Sequence, residues 1–279
     1  MVAVRSLRQQ TVIPGFGLTL GITLSYLGLI VLLPLCVMFF RAADAGWVKF
    51  WAELSSSRTL AAFRVSFGIA CLAAFINAIF GSIVAWVLVR YEFPGRRVVD
   101  SLIDLPFALP TAVAGIALTS LYSAHGWLGQ PLAAIGVKAV FTPVGILIAL
   151  VFVGLPFVVR TVEPVLLDFD RELEESAAML GASRMSILWR VVFPPVLPAV
   201  MTGFTLAFAR AVGEYGSVIF IAGNVPGYSE IVPLLIVIKL EQFDYAGATV
   251  IATLMLVASF ILLLTVNLLQ AWTRSRQGG

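Results

Sequence analysis

In this chain of 279 residues, 60% are apolar and 12% charged, where a soluble domain carries about a quarter charged residues. That balance excludes a soluble enzyme or a nucleic-acid-binding domain, and the length leaves room for one membrane domain without a further large soluble one. Basic residues outnumber acidic ones only 18 to 15, so their placement says more than their sum, because Lys and Arg set the orientation of a membrane protein.

Residues 1–14 hold Arg5 and Arg8 and read as a short N-terminal segment. A long apolar run follows from Phe16 to Phe40. At about 25 residues, or about 37 Å of helix, it exceeds a signal-peptide core and is expected to be an uncleaved first transmembrane helix. Five more runs, Arg64–Val89, Ser101–Tyr122, Pro143–Val159, Val196–Ile221 and Ala246–Leu269, come near the roughly 20 residues that span hydrocarbon, although the fourth is short. The expected fold is all-α, a polytopic membrane protein with six transmembrane helices. An even number of crossings puts both termini on one side. About 11 basic residues fall on that side, in the N-terminus, the second loop, the stretch after the fourth run and the tail, against about 6 on the other. Both termini are therefore expected in the cytoplasm of a bacterial cell, with 15–272 as the membrane domain and 273–279 as a short basic tail.

Trp47 and Trp51, four apart in the first outer loop, suit an interfacial amphipathic segment. His125 stands beside turn-forming glycines in SAHGWLG with no second ligand nearby and reads as a solvated loop residue. The segment Ile231–Phe243 is apolar but too short to cross, so a re-entrant or interfacial helix is expected. Cys36 and Cys71 lie in apolar runs and read as buried small residues, not as disulfide or metal partners.

Two crossings contain residues unsuited to lipid. In DLPFALPTAVAG, Asp104 to Gly115, Pro106 and Pro110 remove backbone donors beside Thr111, and Gly115 lacks a side chain. Such a segment faces protein or a wet cavity, either as a packing kink or as the lining of a pathway. In the fifth run, Arg210 and Glu214 are four apart and are expected to share a helix face and pair. Gly213 and Gly216 would admit a close neighbour. A charge at mid-bilayer costs about 2.5 to 3.5 kcal/mol, so the pair either borders a translocation route or locks two helices together.

Between the fourth and fifth runs lies a hydrophilic island, 160–198. RELEESAAML, Arg171 to Leu180, has helical propensity, and SRMSILWRVV, Ser183 to Val192, reads as a basic amphipathic helix. Gly181 suits the sharp turn between them, and Ser183 suits the second N-cap. Pro194, Pro195 and Pro198 are expected to end the second helix before the next crossing.

Glu175, Ala177, Gly181 and Pro194 stand in the register of the signature loop of ABC importer permeases, with Ser176 in place of an alanine and Phe193 in place of a leucine. Longer strings, RYEFPGRR, DLPFALPTAVAG, VRTVEPVL, GEYGSVIFIAGN and EQFDYAGATVIA, make nearly the whole chain similar to the T-type permease subunits of sulfate/thiosulfate importers, with molybdate permeases as the neighbouring family. The resemblance implies the type I importer permease fold. It implies that Glu174, Glu175, Ala177, Gly181, Ala182 and Arg184 dock on a cytoplasmic ATPase, while the residues unsuited to lipid, Pro106, Pro110, Thr111, Gly115, Arg210, Gly213, Glu214 and Gly216, are the expected lining of the pathway or its gate. The implied partners are a second, W-type permease, two ATPase subunits and a periplasmic or lipid-anchored sulfate-binding protein.

The chain has no phosphate-binding loop of the Gly-x-x-x-x-Gly-Lys-Ser/Thr type, so ATP and Mg belong on the partner ATPase and no cofactor is expected here. The opposing reading is a proton-coupled carrier or an intramembrane enzyme working through Arg210 and Glu214. It lacks the further intramembrane carboxylates, the two similar halves and the convergent catalytic set that those classes need.

Overall fold

The computed structural model describes residues 16–277, so the N-terminal segment 1–14 lies outside the described residues. In chain order the helices are α1 (Phe16–Asp44), α2 (Gly46–Ser55), α3 (Ser57–Arg90), α4 (Arg96–Ile103), α5 (Leu105–Ala108), α6 (Thr111–Tyr122), α7 (Gly129–Ala134), α8 (Pro143–Asp168), α9 (Arg171–Met179), α10 (Arg184–Val212), α11 (Val218–Ile221), α12 (Val232–Glu241) and α13 (Tyr245–Gln277). Among the described residues no strand occurs. Five helices are long and apolar enough to cross a membrane: α1, α3, α8, α10 and α13 over Tyr245–Leu268.

The centre is a three-helix unit of α3, α8 and α10. On α3, Ser66, Ala70, Ala73, Asn77, Gly81 and Ala85 are buried at spacings of three and four, so one stripe of small residues faces inward. With lipid tails as apolar as the side chains, association in a bilayer depends on such close packing. Val158 of α8 is the pivot: a Cβ on Gly81 would come within 2.9 Å of its Cβ, and one on Gly203 of α10 within 2.8 Å of its Cα. Only glycine lets both helices approach that residue.

Several boundaries differ from those expected. The third crossing is broken. Pro110 cannot donate a backbone hydrogen bond and forces Leu109 into an extended conformation, with φ −83° and ψ 134°, so α6 starts afresh at Thr111. The fourth crossing does not stop near Val159 but continues to Asp168, well into the stretch assigned to the island. The prolines after Val192 do not end a helix: Arg184–Val212 is continuous, and the turn before Pro194 widens to a π-helix over Leu188–Val192. The wider turn accommodates a ring that would clash with the carbonyl four residues back. A second π-turn, Gly28–Leu32, precedes Pro34 in α1 in the same way. The fifth crossing instead breaks at Gly213, five residues before α11. Helix α13 reaches Gln277 and takes in most of the segment expected as a free tail.

Helix α1 packs mainly against α2 and α13, and Ala42 is its only buried residue. Cys36 therefore lies exposed on an unpacked helix, and Cys71 on the outward face of α3. Neither is buried as expected, because an apolar run does not reveal which of its faces is packed.

At the end of the bundle away from α9, helices α2, α12 and the start of α13 meet in an ionic cluster. Lys239 Nζ donates to Glu53 at 2.6 Å and to Asp244 at 3.0 Å, Lys49 Nζ donates to Asp244 at 3.0 Å, and the Gly247 N–H donates to the same carboxylate at 3.0 Å. Helix α12, the short helix expected over Ile231–Phe243, buries Val232 and Leu235 in a small apolar cluster with Ala62 of α3 and Ile251 of α13, and Leu234 in the main core. Burial pushes the Asp244 carboxyl up, but the Gly247 N–H and the two ammonium groups outweigh it and bring it from 3.8 to about 2. A carboxyl depressed in the folded state stabilises it above its ordinary value and loses that contribution as pH falls toward the folded one. The cluster is thus expected to hold from neutral pH to about 4 and to loosen between about 4 and about 2, while Asp244→Asn loosens it at every pH. Fluorescence of Trp47 and Trp51 on the exposed face of α2 reads both changes, and a native profile flat to pH 2 would contradict them.

Candidate functional site

Two sites emerge, one at each end of α10. The first is the α9–α10 hairpin. Asp170 caps α9 by accepting the Glu172 N–H at 3.0 Å, and Glu172 and Glu174 lie in the first turn, where the helix dipole favours acidic groups. Gly181 follows at φ +83°, the Gly181 N–H donates to Ala178 at 2.9 Å and the Ala182 N–H to Ala177 at 3.1 Å. These two bonds close a left-handed turn that glycine adopts without strain. Ser183 then accepts the Ser186 N–H at 3.3 Å and opens α10. The turn leaves Met179 and Leu180 each 89% exposed, beside exposed Met185 and Trp189. Burying an apolar side chain so displayed is worth about 1.5 to 3 kcal/mol, which marks this face as a candidate contact surface.

The coupling candidates do not face one way. Glu175, Gly181 and Arg184 are exposed, and Ala177 and Ala182 are half-buried. Glu174 turns back toward the bundle and pairs with Arg90 at the end of α3.

The second site is the break in α10. Arg210 and Glu214 do pair, but not on a helix face: α10 ends at Val212, and Glu214 sits in the irregular segment beyond it. Its buried carboxylate, 2% exposed, also accepts the Ser217 N–H at 2.9 Å and the Ser217 hydroxyl at 3.0 Å, so it ties the end of α10 to the start of α11. The N-terminal turns of α6 press on this segment. A Cβ on Gly115 would lie 2.5 Å from the Ser217 carbonyl oxygen, and one on Gly216 only 2.1 Å from the Thr111 hydroxyl. Gly213 has open space where a Cβ would go, so it does not serve the close approach expected of it; it caps α10 instead. Pro110 stands directly before Thr111 at the break, and Pro106 lies one turn earlier in α5, where Phe107 meets Phe157 of α8 edge to face at 5.1 Å. The third and fifth crossings, both broken, therefore touch at their breaks through Thr111, Gly115, Gly216 and Ser217.

A family model described as the inner membrane component of binding-protein-dependent transport systems matches residues 77–278. The chain belongs to this family. It is a multi-pass membrane permease. Among its relatives, the sulfate transport system permease protein CysT of Synechococcus elongatus is 50% identical over 254 residues, which cover 91% of each chain. The protein of the same name in Escherichia coli is 45% identical over 271 residues, 97% of each chain. A probable sulfate transport system permease protein of Chlorokybus atmophyticus is 49% identical over 250 residues, 90% of this chain and 87% of that one. Among solved structures, a bacterial ABC transporter involved in alginate import aligns with a TM-score of 0.75 at 15% identity, over 92% of this chain and 94% of that one. An amino acid ABC transporter aligns at 0.52 and 17% identity, over 78% of this chain and 94% of that one. These structures share the fold, and at such identities they speak for the fold alone.

The permease contains a further ionic hub, centred on Arg160, that its sequence does not announce. Arg160 of α8 donates to both oxygens of Asp104, at 3.0 and 2.6 Å, to Asp100 at 2.7 Å and to Glu163 at 2.6 Å. It thereby fastens α4 and the start of α5 to α8. The only sequence signals were the spacing of three to Glu163 and of four between the two aspartates, since the aspartates lie about sixty residues away.

Gly115→Val is expected to stop transport. The obstacle at Ser217 is backbone and cannot turn aside, so α6 must move off the break, at about 1 to 3 kcal/mol. Lost uptake with a lowered thermal midpoint of the detergent-purified permease checks this, and a valine variant with native values for both contradicts it.

Proposed function

We propose that this permease is the T-type membrane subunit of an ATP-driven importer that carries sulfate, and by the same chemistry thiosulfate, into the cytoplasm. The observation that carries the mechanism is α10: one helix of 29 residues begins beside the Gly181 turn and ends at the Gly213 break. At 1.5 Å per residue it is a lever of about 43 Å joining the docking turn to the contact between α6 and α11. The cargo rests on relatives of 45 to 50% identity over nearly full length that carry a sulfate permease name.

In this reading Glu175, Ala177, Gly181, Ala182 and Arg184, with Met179 and Leu180, meet a cytoplasmic ATPase. ATP and Mg are bound there and not by this chain. Both termini lie in the cytoplasm, as the basic residues favour. The other half of the passage comes from a second, W-type permease, and a periplasmic or lipid-anchored receptor delivers the anion. Closure of two ATPase subunits pushes the hairpin, α10 tilts, and the contact of Thr111 and Gly115 with Gly216 and Ser217 opens on one side and closes on the other. Tight recognition stays with the receptor, so the passage need only avoid trapping a dianion. Arg210, balanced by Glu214, meets that need.

Radiolabelled sulfate uptake tests the reading in cells that lack this chain and are complemented with it, with molybdate as competitor. Uptake restored by the chain, abolished by ATP depletion and little affected by molybdate is the expected result. Uptake indifferent to the chain rejects the cargo, and strong competition by molybdate moves it to the neighbouring family.

A further inference from the structure

The side chain of Arg90, the last residue of α3, is only 9% exposed although it stands at the charged end of the bundle. Its guanidinium pairs with Glu174 of α9 and lies over two aromatic faces, 5.4 Å from the ring centre of Trp86 and 5.9 Å from that of Phe169. Arg171, at the start of α9, reaches back to the Val89 carbonyl at 3.4 Å. Among the described residues this is the one ion pair that α9 makes. Apart from the Arg90–Glu174 pair and the Arg171 hydrogen bond, the helix is held by its covalent ends and by contact with the first turns of α10. On one side its covalent connection is the extended pair Phe169 and Asp170, on the other the left-handed Gly181, and both are joints at which a push on α9 could be absorbed.

Resting on the reading of α9 as the ATPase-docking helix, we infer that Arg90 is the positioning residue that converts movement of α9 into movement of the α3–α8–α10 unit. The geometry suits a clamp. An ion pair shielded by two aromatic rings resists water and salt far better than one on an open surface. The planar guanidinium can stack and pair at once, which an ammonium cannot do equally well. The side chain also has nothing else to do: its Nε has no hydrogen-bond partner, so pairing and stacking account for its place. With the clamp intact, the hairpin tilts α10 while α9 carries α3 with it, so that the closely packed α3, α8 and α10 shift as one unit. Without it, the joints at Phe169 and Gly181 take up the stroke and ATP is spent without transport.

The test is the number of sulfate ions carried per ATP hydrolysed by the complete complex, with the second permease, the ATPase and the receptor, in proteoliposomes. Arg90→Gln is expected to lower this ratio about tenfold while hydrolysis falls less than about threefold. Glu174→Gln is expected to do the same, and the double variant to be no worse than either single one, because both remove one interaction. Arg90→Lys, which keeps the charge but not the stacked fork, falls between native and Arg90→Gln. An unchanged ratio in Arg90→Gln, or losses that multiply to about a hundredfold in the double variant, would overturn the clamp. If Arg90→Gln fails to assemble, Glu174→Gln decides by the same criterion. Cross-linking of Met179→Cys to the ATPase in a complex with native Arg90 separates the two ideas. No cross-link rejects the docking of α9, whereas a cross-link with an unchanged ratio rejects the clamp alone.

Discussion

Gly181→Val is expected to leave the complex assembled and hydrolysing ATP but to cut sulfate uptake by about tenfold or more. The residue sits at φ +83° with no atom within 4 Å of where a Cβ would stand, so the variant suffers no collision and the whole effect is conformational. A left-handed conformation costs an L-residue about 1 to 2 kcal/mol and a β-branched one more, which amounts to about a tenfold loss of the competent turn. When the backbone relaxes, the bonds from Gly181 to Ala178 and from Ala182 to Ala177 open, and the Ser183 cap moves with them. Met179 and Leu180 then point elsewhere, and the start of α10 loses its fixed relation to α9. Asparagine tolerates the left-handed region, so Gly181→Asn should retain most of the uptake. Uptake and hydrolysis measured on the same vesicles check both variants. Native transport with valine would remove the turn from the mechanism.

The sequence revealed much of this architecture because hydrocarbon demands long apolar runs, and α1, α3, α8, α10 and α13 all lie where such runs stand. The hairpin was legible for a different reason: Gly181 and Ser183 are local devices whose effect is complete within a few residues. What was misread depended on neighbours. Pro194, Pro195 and Pro198 look like a stop by local sterics, yet a π-turn absorbs them and α10 runs through. The real break at Gly213 is hidden because Val212, Tyr215 and Val218 keep the run apolar across it, and it exists because Glu214 finds the Ser217 N–H and Arg210 in place of helical partners. Arg90 and Arg160 counted only as basic residues near a membrane surface. Their partners Glu174 and Asp104 lie 84 and 56 residues away, beyond any periodicity.

Changing the charge at the α10 break is expected to act on the anion with opposite signs, depending on which partner is removed. In the proposed reading, where the α10 break borders the passage, Arg210→Gln leaves the buried carboxylate of Glu214 there with its two Ser217 hydrogen bonds but no cation. Two unit charges at about 4 Å interact by about 4 kcal/mol in a protein-like dielectric, and a dianion feels twice that before screening, so uptake should fall by about tenfold to a hundredfold. Glu214→Gln leaves Arg210 unopposed instead. Sulfate is then held where it should only pass, giving half-saturation at lower concentration together with a lower maximal rate. Removing both charges with Arg210→Gln and Glu214→Gln restores neutrality, and this double variant should transport better than Arg210→Gln alone. Initial rates against sulfate concentration in proteoliposomes separate this from a mere lock between helices. A lock predicts that both single variants lose rate at unchanged half-saturation and that the double variant rescues nothing. A passage predicts that half-saturation moves up in one and down in the other, because the dianion reads the sign of the charge it meets.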